Sequence, residues 1–142
     1  MSITVSVGTR VPAYATSMGR VLLAFTPEPH LSRALASTSF AQLTPNTVTT
    51  EAALRGILKQ VRERGWSIVD QELELGLISA SAPVYDSAGH VVAALATSTS
   101  SARFTRHEVR SGIVPAVVET AAKISAELQI LPIKAASRKR GS

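Results

Sequence analysis

The chain has no cysteine, and its aromatic residues amount to one tryptophan, two tyrosines and three phenylalanines. The first absence excludes a disulfide framework and any zinc site built on thiolates. The second means that a core must be assembled from aliphatic side chains. No apolar run approaches the roughly 20 residues that a membrane-spanning helix needs. Met1-Ser2-Ile3-Thr4 lacks the charged and apolar regions of a secretory signal. A soluble, cytoplasmic protein with no membrane partner is therefore expected.

A basic stripe is missing as well, although the net charge is +5. Lys134, Arg138, Lys139 and Arg140 crowd into an acid-free terminus, and residues up to Ile133 carry 11 bases against 10 acids. A nearly neutral body offers no footprint for a phosphate backbone. Residues 1–133 are expected to form one domain and residues 134–142 a disordered basic tail. Also absent are a G-x-S-x-G elbow, an H-E-x-x-H helix and a Walker loop. His30, His90 and His107 show no metal-ligand spacing. The expectation is no enzyme, no metal and no cofactor.

What is present reads as segregated helices and strands. Ile3–Val7 alternates apolar and polar residues, as a half-buried strand does. Thr16 or Ser17 caps a helix with Met18, Val21, Leu22 and Phe25 on one face. Thr26 as cap and Pro27 as first helical residue open a second helix to about Ser37. Thr50 caps a third, in which Leu54, Ile57, Leu58 and Val61 follow the i, i+3, i+4, i+7 pattern and Gly65 ends it. Thr105 and Glu108 make a capping box for a long last helix, with a kink expected near Gly112–Pro115.

Between the third and last helices the pattern switches to strands. Trp66–Asp70 reads as one, continuing into an extended acidic segment in which Asp70, Glu72 and Glu74 share a face. Leu77–Tyr85 and His90–Ser98 read as a hairpin turned by Asp86-Ser87-Ala88-Gly89, where Asp caps the turn and Gly supplies a positive φ. The order predicts an α+β fold: an antiparallel sheet with helices packed on its faces.

The hairpin is paved with small residues: Ser79, Ala80, Ser81, Ala82, Ala93, Ala94 and Ala96. Since interiors are filled to crystal-like density, such a floor is either closely covered by a helix or left concave as a pocket. The residues alone leave the two readings even. For a pocket, the candidate residues are Ser17, Met18, Gly19 and Arg20 at a helix start, Asp70 and Glu72 at a strand end, and Ser79, Ser81 and Ser98 on the floor. Gly19 disfavours the helix it begins, which makes sense where something approaches its backbone. Amides in a first helical turn favour an anion, so a carboxylate-bearing small molecule is the expected ligand. The plainer alternative is that Asp70, Glu72 and Glu74 pair with arginines such as Arg20, Arg55 or Arg103.

Five ordered pieces then resemble one known family. They are Gly8-Thr9-Arg10-Val11-Pro12-Ala13-Tyr14-Ala15-Thr16-Ser17-Met18-Gly19-Arg20-Val21-Leu22-Leu23-Ala24, Arg62-Glu63-Arg64-Gly65-Trp66, Asp70-Gln71-Glu72-Leu73-Glu74-Leu75-Gly76-Leu77, Ala82-Pro83-Val84, and Asp86 with Gly89. Together they resemble the C-terminal effector-binding domain of the IclR family of bacterial transcriptional regulators, with wording nearest to its aromatic-acid, protocatechuate–β-ketoadipate branch. The resemblance spans Val7 to Leu128. It implies a GAF-like domain with a central antiparallel sheet and helices on both faces. It also implies an effector site drawn from the helix start Ser17-Met18-Gly19-Arg20, from Asp70 and Glu72, and from the first hairpin strand, with Ser79 where several relatives carry a cysteine. Homodimers or homotetramers are implied, and DNA contact only through a winged helix-turn-helix that this sequence lacks. The alternatives are an interaction or dimerisation module that binds no metabolite and, third, an enzyme.

Overall fold

The computed structural model describes residues 10–131; the strand expected at Ile3–Val7 and the tail expected at residues 134–142 lie outside them. A 3-10 turn, Ala13–Ala15, leads into α1 (Ser17–Ala24), α2 (Glu28–Ala36) and α3 (Glu51–Arg64). Strands β1 (Ser67–Asp70), β2 (Leu77–Tyr85) and β3 (Val91–Ser100) follow. The chain then forms a short helical turn α4 (Arg106–Glu108), a π-turn (Val109–Ile113) and α5 (Val114–Ile130). The fold is α+β, as the residue order predicts.

The three strands form one antiparallel sheet in the order β1-β2-β3. Ser67 pairs with Ser81 and Val69 with Ser79 on one side of β2, while Ser79 pairs with Ser98 and Ala82 with Leu95 on the other. Side chains alternate between faces along each strand. Ile78, Ala80, Ala82 and Val84 therefore share a face, buried against Val109, Val114, Val117 and Ala121 of the C-terminal helical segment. Ser67, Ser79, Ser81, Ala94, Ala96 and Ser98 share the opposite face, over which α1 packs across all three strands. A second core beneath α1 and α3 holds Val21, Ala24, Leu31, Leu35, Leu54, Leu58 and Val61.

Most boundaries follow from local chemistry. Thr16 accepts the Gly19 N–H at 3.1 Å, Thr50 accepts that of Ala53, and Gly65 ends α3 at φ 82°. Asp86 Oδ1 accepts from the amides of Ala88 and His90, and Gly89 takes φ 80°. The kink before α5 is a π-turn in which the Val114 N–H reaches back to the Val109 carbonyl. Pro115 has no N–H, so the ladder cannot continue in α register through it. The start of α2 differs from expectation. Pro27 is the cap and makes no side-chain hydrogen bond, while the Thr26 hydroxyl donates back to Leu22 O at 2.7 Å. Thr26 thus closes α1 instead of opening α2.

The acidic stretch also departs from the sequence reading. β1 stops at Asp70, and Gln71 sits at φ 56°, a left-handed conformation that breaks the strand alternation. Residues 71–76 form a loop closed by the Gln71 N–H on Leu77 O and by the Gly76 N–H on the Gln71 side chain. Asp70, Glu72 and Glu74 consequently do not line one face.

Candidate functional site

The conformation of residues 12–20 follows from one close contact. Thr16 caps α1 and the 3-10 turn folds beneath its first residues, so that a Cβ on Gly19 would stand 2.3 Å from Ala13 O and 2.4 Å from Ala13 Cα. Only glycine fits there, because the obstruction is backbone. The close approach anticipated at Gly19 is therefore made by the chain itself and not by a ligand. The Gly19 amide is already bound to Thr16, which removes it from the anion-binding role expected of it. The Met18 side chain is 41 % exposed, whereas Ser17 is buried at the helix start.

Arg20 and Glu72 pair with each other, the plainer alternative that the sequence left open. The Arg20 guanidinium is almost wholly buried and donates from Nη1 to Glu72 Oε2 at 2.8 Å and from Nη2 to Glu72 Oε1 at 2.6 Å. Its Nε donates to Tyr14 O at 2.8 Å. Glu72 Oε1 also accepts the Val48 N–H at 3.1 Å. This is a planar two-toothed ion pair with its remaining polar atoms satisfied, the arrangement in which a buried pair is tolerated. It joins the start of α1 to the 71–76 loop, with both side chains engaged by protein partners. The same loop is held from a third side, since the hydroxyls of Thr44 and Thr47 donate to Gln71 O at 2.6 Å and Glu72 O at 2.7 Å. Thr44 and Thr47 are not among the candidates read from the sequence; the Thr47 hydroxyl also accepts the Leu43 and Thr44 amides, a local pattern that two hydroxyl residues three apart can signal.

The serines do come together. Ser79 and Ser98 are directly opposed across β2 and β3, and Ser81 follows on the same face, as does Ser67 of β1. The Ser81 hydroxyl is engaged, donating to Leu95 O at 2.9 Å. Ser67, not among the candidates read from the sequence, is fully buried and its hydroxyl has no partner among the described residues. A buried unpaired hydroxyl is unusual. On this face Ser67, Val69 and Ser81 are buried, Ser79 and Ala96 are half-buried and Ser98 is exposed, so the cover thins toward the Ser79–Ser98 end. Ser98 and Glu74 also border a cavity of about 300 Å³ between the 71–76 loop and the end of β3. Asp70 stands apart at the strand end, accepting from the Gln71 side-chain amide at 3.2 Å. Among the described residues no His, Cys, Asp and Glu group is arranged to hold a metal ion, and no helix is long and apolar enough to cross a membrane.

The structure thus defines an α+β domain in which one face of a short antiparallel sheet is a packed core and the other a serine-lined surface under a capped helix. The family is settled by comparison. The chain belongs to the IclR family: residues 1–126 match the model of the bacterial transcriptional regulator IclR C-terminal domain. It is 44 % identical over 115 residues to the Pca regulon regulatory protein of Pseudomonas putida, covering 81 % of this chain and 40 % of that one. To the HTH-type transcriptional regulator KdgR of Escherichia coli it is 36 % identical over 123 residues, covering 86 % of this chain and 46 % of the relative. The chain therefore spans less than half the length of these curated relatives. A transcriptional regulator from Rhodococcus sp. RHA1 superposes with a TM-score of 0.85 at 40 % identity, over 91 % of this chain and 52 % of that one. The inducer-binding domain of the Acinetobacter transcription factor PobR, a double mutant solved with 3-hydroxybenzoic acid, gives 0.78 at 30 % identity, over 83 % and 67 %. Family, GAF-like fold class and kinship with regulators of aromatic catabolism all agree with the resemblance read from the residues.

Proposed function

We propose that this domain senses an aromatic carboxylic acid, or a dicarboxylate from ring cleavage, on the serine-lined face of the sheet. Such a regulator binds its effector without chemical turnover, acts as a dimer or tetramer, and contacts DNA through a part of the protein that its relatives possess outside the matched region. The single observation that carries the site is the opposition of Ser79 and Ser98 on the face that α1 covers only in part, beside the unpaired Ser67 hydroxyl. Serine hydroxyls both donate and accept, so they suit carboxylate and phenol oxygens alike. Similarity to the Pca regulon protein and to the PobR domain supports the aromatic-acid class. Arg20 and Glu72 shape the site by holding α1 in place and do not touch the ligand.

The test is a thermal-shift series with hydroxybenzoates, dihydroxybenzoates and short dicarboxylates, followed by calorimetry on the best ligand. A ligand at about a hundred times its Kd stabilises by roughly 2.7 kcal/mol. Ser79→Leu and Ser98→Leu should each weaken binding tenfold or more, while circular dichroism stays unchanged. If no acid shifts the melting transition, or both variants bind as tightly as the parent, the reading fails.

A further inference from the structure

A second concave surface lies away from the serine face. β1 begins at Ser67, opposite Ser81, so the edge of β2 from Ala82 to Tyr85 has no strand beside it among the described residues. That edge, the end of α3 and the outer side of α5 enclose a groove of about 530 Å³. Its walls are largely apolar, with Pro83 and Tyr85 on one side and Val118 and Ala122 on the other. Two features keep the edge from pairing with a strand. Pro83 carries no N–H, and the Tyr85 N–H is taken by the Ser125 hydroxyl at 2.9 Å. The groove is thus suited to a side-chain or small-molecule guest and not to β-augmentation.

One end carries concentrated positive charge. Arg64 lies with its Cζ 3.7 Å from the centroid of the Trp66 ring, and Arg110 approaches the same ring at 5.7 Å. Arg64 Nε donates to Trp66 O, which fixes the guanidinium while its Nη groups make no hydrogen bond among the described residues. No carboxylate pairs with Arg64, Arg106 or Arg110 among the described ion pairs. Glu108, between Arg106 and Arg110 in sequence, is turned back into the α4 capping box, and Glu63 beside Arg64 makes no ion pair among the described residues. Burial, together with the charges of Arg106 and Arg110, holds the Arg64 guanidinium below its usual range. Like charges held together without a counter-ion repel, and an anion placed among them relieves that repulsion.

We propose that this groove is a second ligand site, for a small molecule with an apolar body and a carboxylate head, the head on Arg64 and the body between Pro83, Tyr85, Val118 and Ala122. The volume lies within the range of small-molecule sites, and an apolar cleft with one placed charge is their usual composition. A planar guanidinium stacked on an indole presents two parallel donors to a carboxylate. The site uses none of Ser67, Ser79, Ser81 and Ser98, so a ligand bound there would act on the sensor from further along β2, at its edge beside α5.

Benzoate is the probe, titrated into the 142-residue protein and followed by the amide and indole resonances of the groove and of the serine face. Saturable shifts of the Trp66 indole N–H and of the Val118 and Ala122 amides are expected. Arg64→Gln and the groove-filling Ala122→Trp should each weaken that binding at least tenfold. Ser98→Leu should leave it unchanged, which separates this site from the proposed effector site. Benzyl alcohol, with the body but not the charge, should bind at least tenfold more weakly. Shifts confined to the serine face would overturn the proposal, as would an Ala122→Trp variant that binds like the parent. Binding that appears only after residues 132–142 are removed would assign the groove to the chain's own C-terminal segment and equally overturn it.

Discussion

The two faces of β2 use the same nine residues to opposite ends. Toward α5, Ile78, Ala80, Ala82 and Val84 meet valines and an alanine, and the small residues let the helix lie close. Toward α1, Ser79 and Ser81 replace them, and the covering helix is fastened by charge: Arg20 reaches past the sheet to Glu72. One layer is held by removal of apolar surface from water, which is non-directional and tolerant of small shifts. The other adds to its own apolar core a bidentate pair with fixed geometry. A sheet that must both support a core and leave room beside it can divide those tasks by the parity of its residues.

The comparison can be broken most severely at the charged fastening. Arg20→Met leaves Glu72 buried without its partner and should destabilise by about 3–5 kcal/mol in chemical denaturation. Losses below about 1 kcal/mol would mean that solvent reaches the pair. On the apolar face, Ile78→Ala should lower stability by about 2–5 kcal/mol through lost transfer energy and a residual cavity. Its effect on ligand affinity should be small, since the side chain points toward α5. The smallest change has the opposite sign. Ser67→Ala removes a buried hydroxyl that has no partner, so the unliganded domain should gain about 1 kcal/mol. A loss of stability there would show that the hydroxyl is satisfied by water or ligand.

Much of this was legible beforehand, and the reasons differ by region. Caps, the Asp86–Gly89 turn, the αL residue at Gly65 and the capping box at Thr105 are encoded within a few residues of where they act, so local chemistry predicts them. The parity of the hairpin likewise follows from alternation, which is why Ser79, Ser81 and Ser98 emerge on one face. The acidic stretch departs from expectation because a single left-handed residue, Gln71, ends the strand and opens a loop, and nothing about glutamine announces that conformation. Gly19 was assigned the right property and the wrong neighbour: its missing side chain is needed, but by Ala13. Arg20 and Glu72 stand 52 positions apart, and only the tertiary fold tells which of several acids meets which arginine. The lone Ser67 hydroxyl is an absence of contacts and has no signature in sequence at all.

The Arg20–Glu72 fastening carries a consequence for how this domain can diverge. Each partner answers to a second, fixed backbone group, the Tyr14 carbonyl for Arg20 and the Val48 amide for Glu72. Exchanging the two charges would therefore set a carboxylate against a carbonyl and a guanidinium against an N–H, so reversal is closed as a substitution route. Lysine at position 20 keeps the charge but cannot supply the three donors in one plane. Removing either charge alone leaves the other buried and unpaired, so the pair is replaced at least cost by losing both charges. Positions 20 and 72 are thus coupled physically, and the pair sets the height of α1 above the sheet.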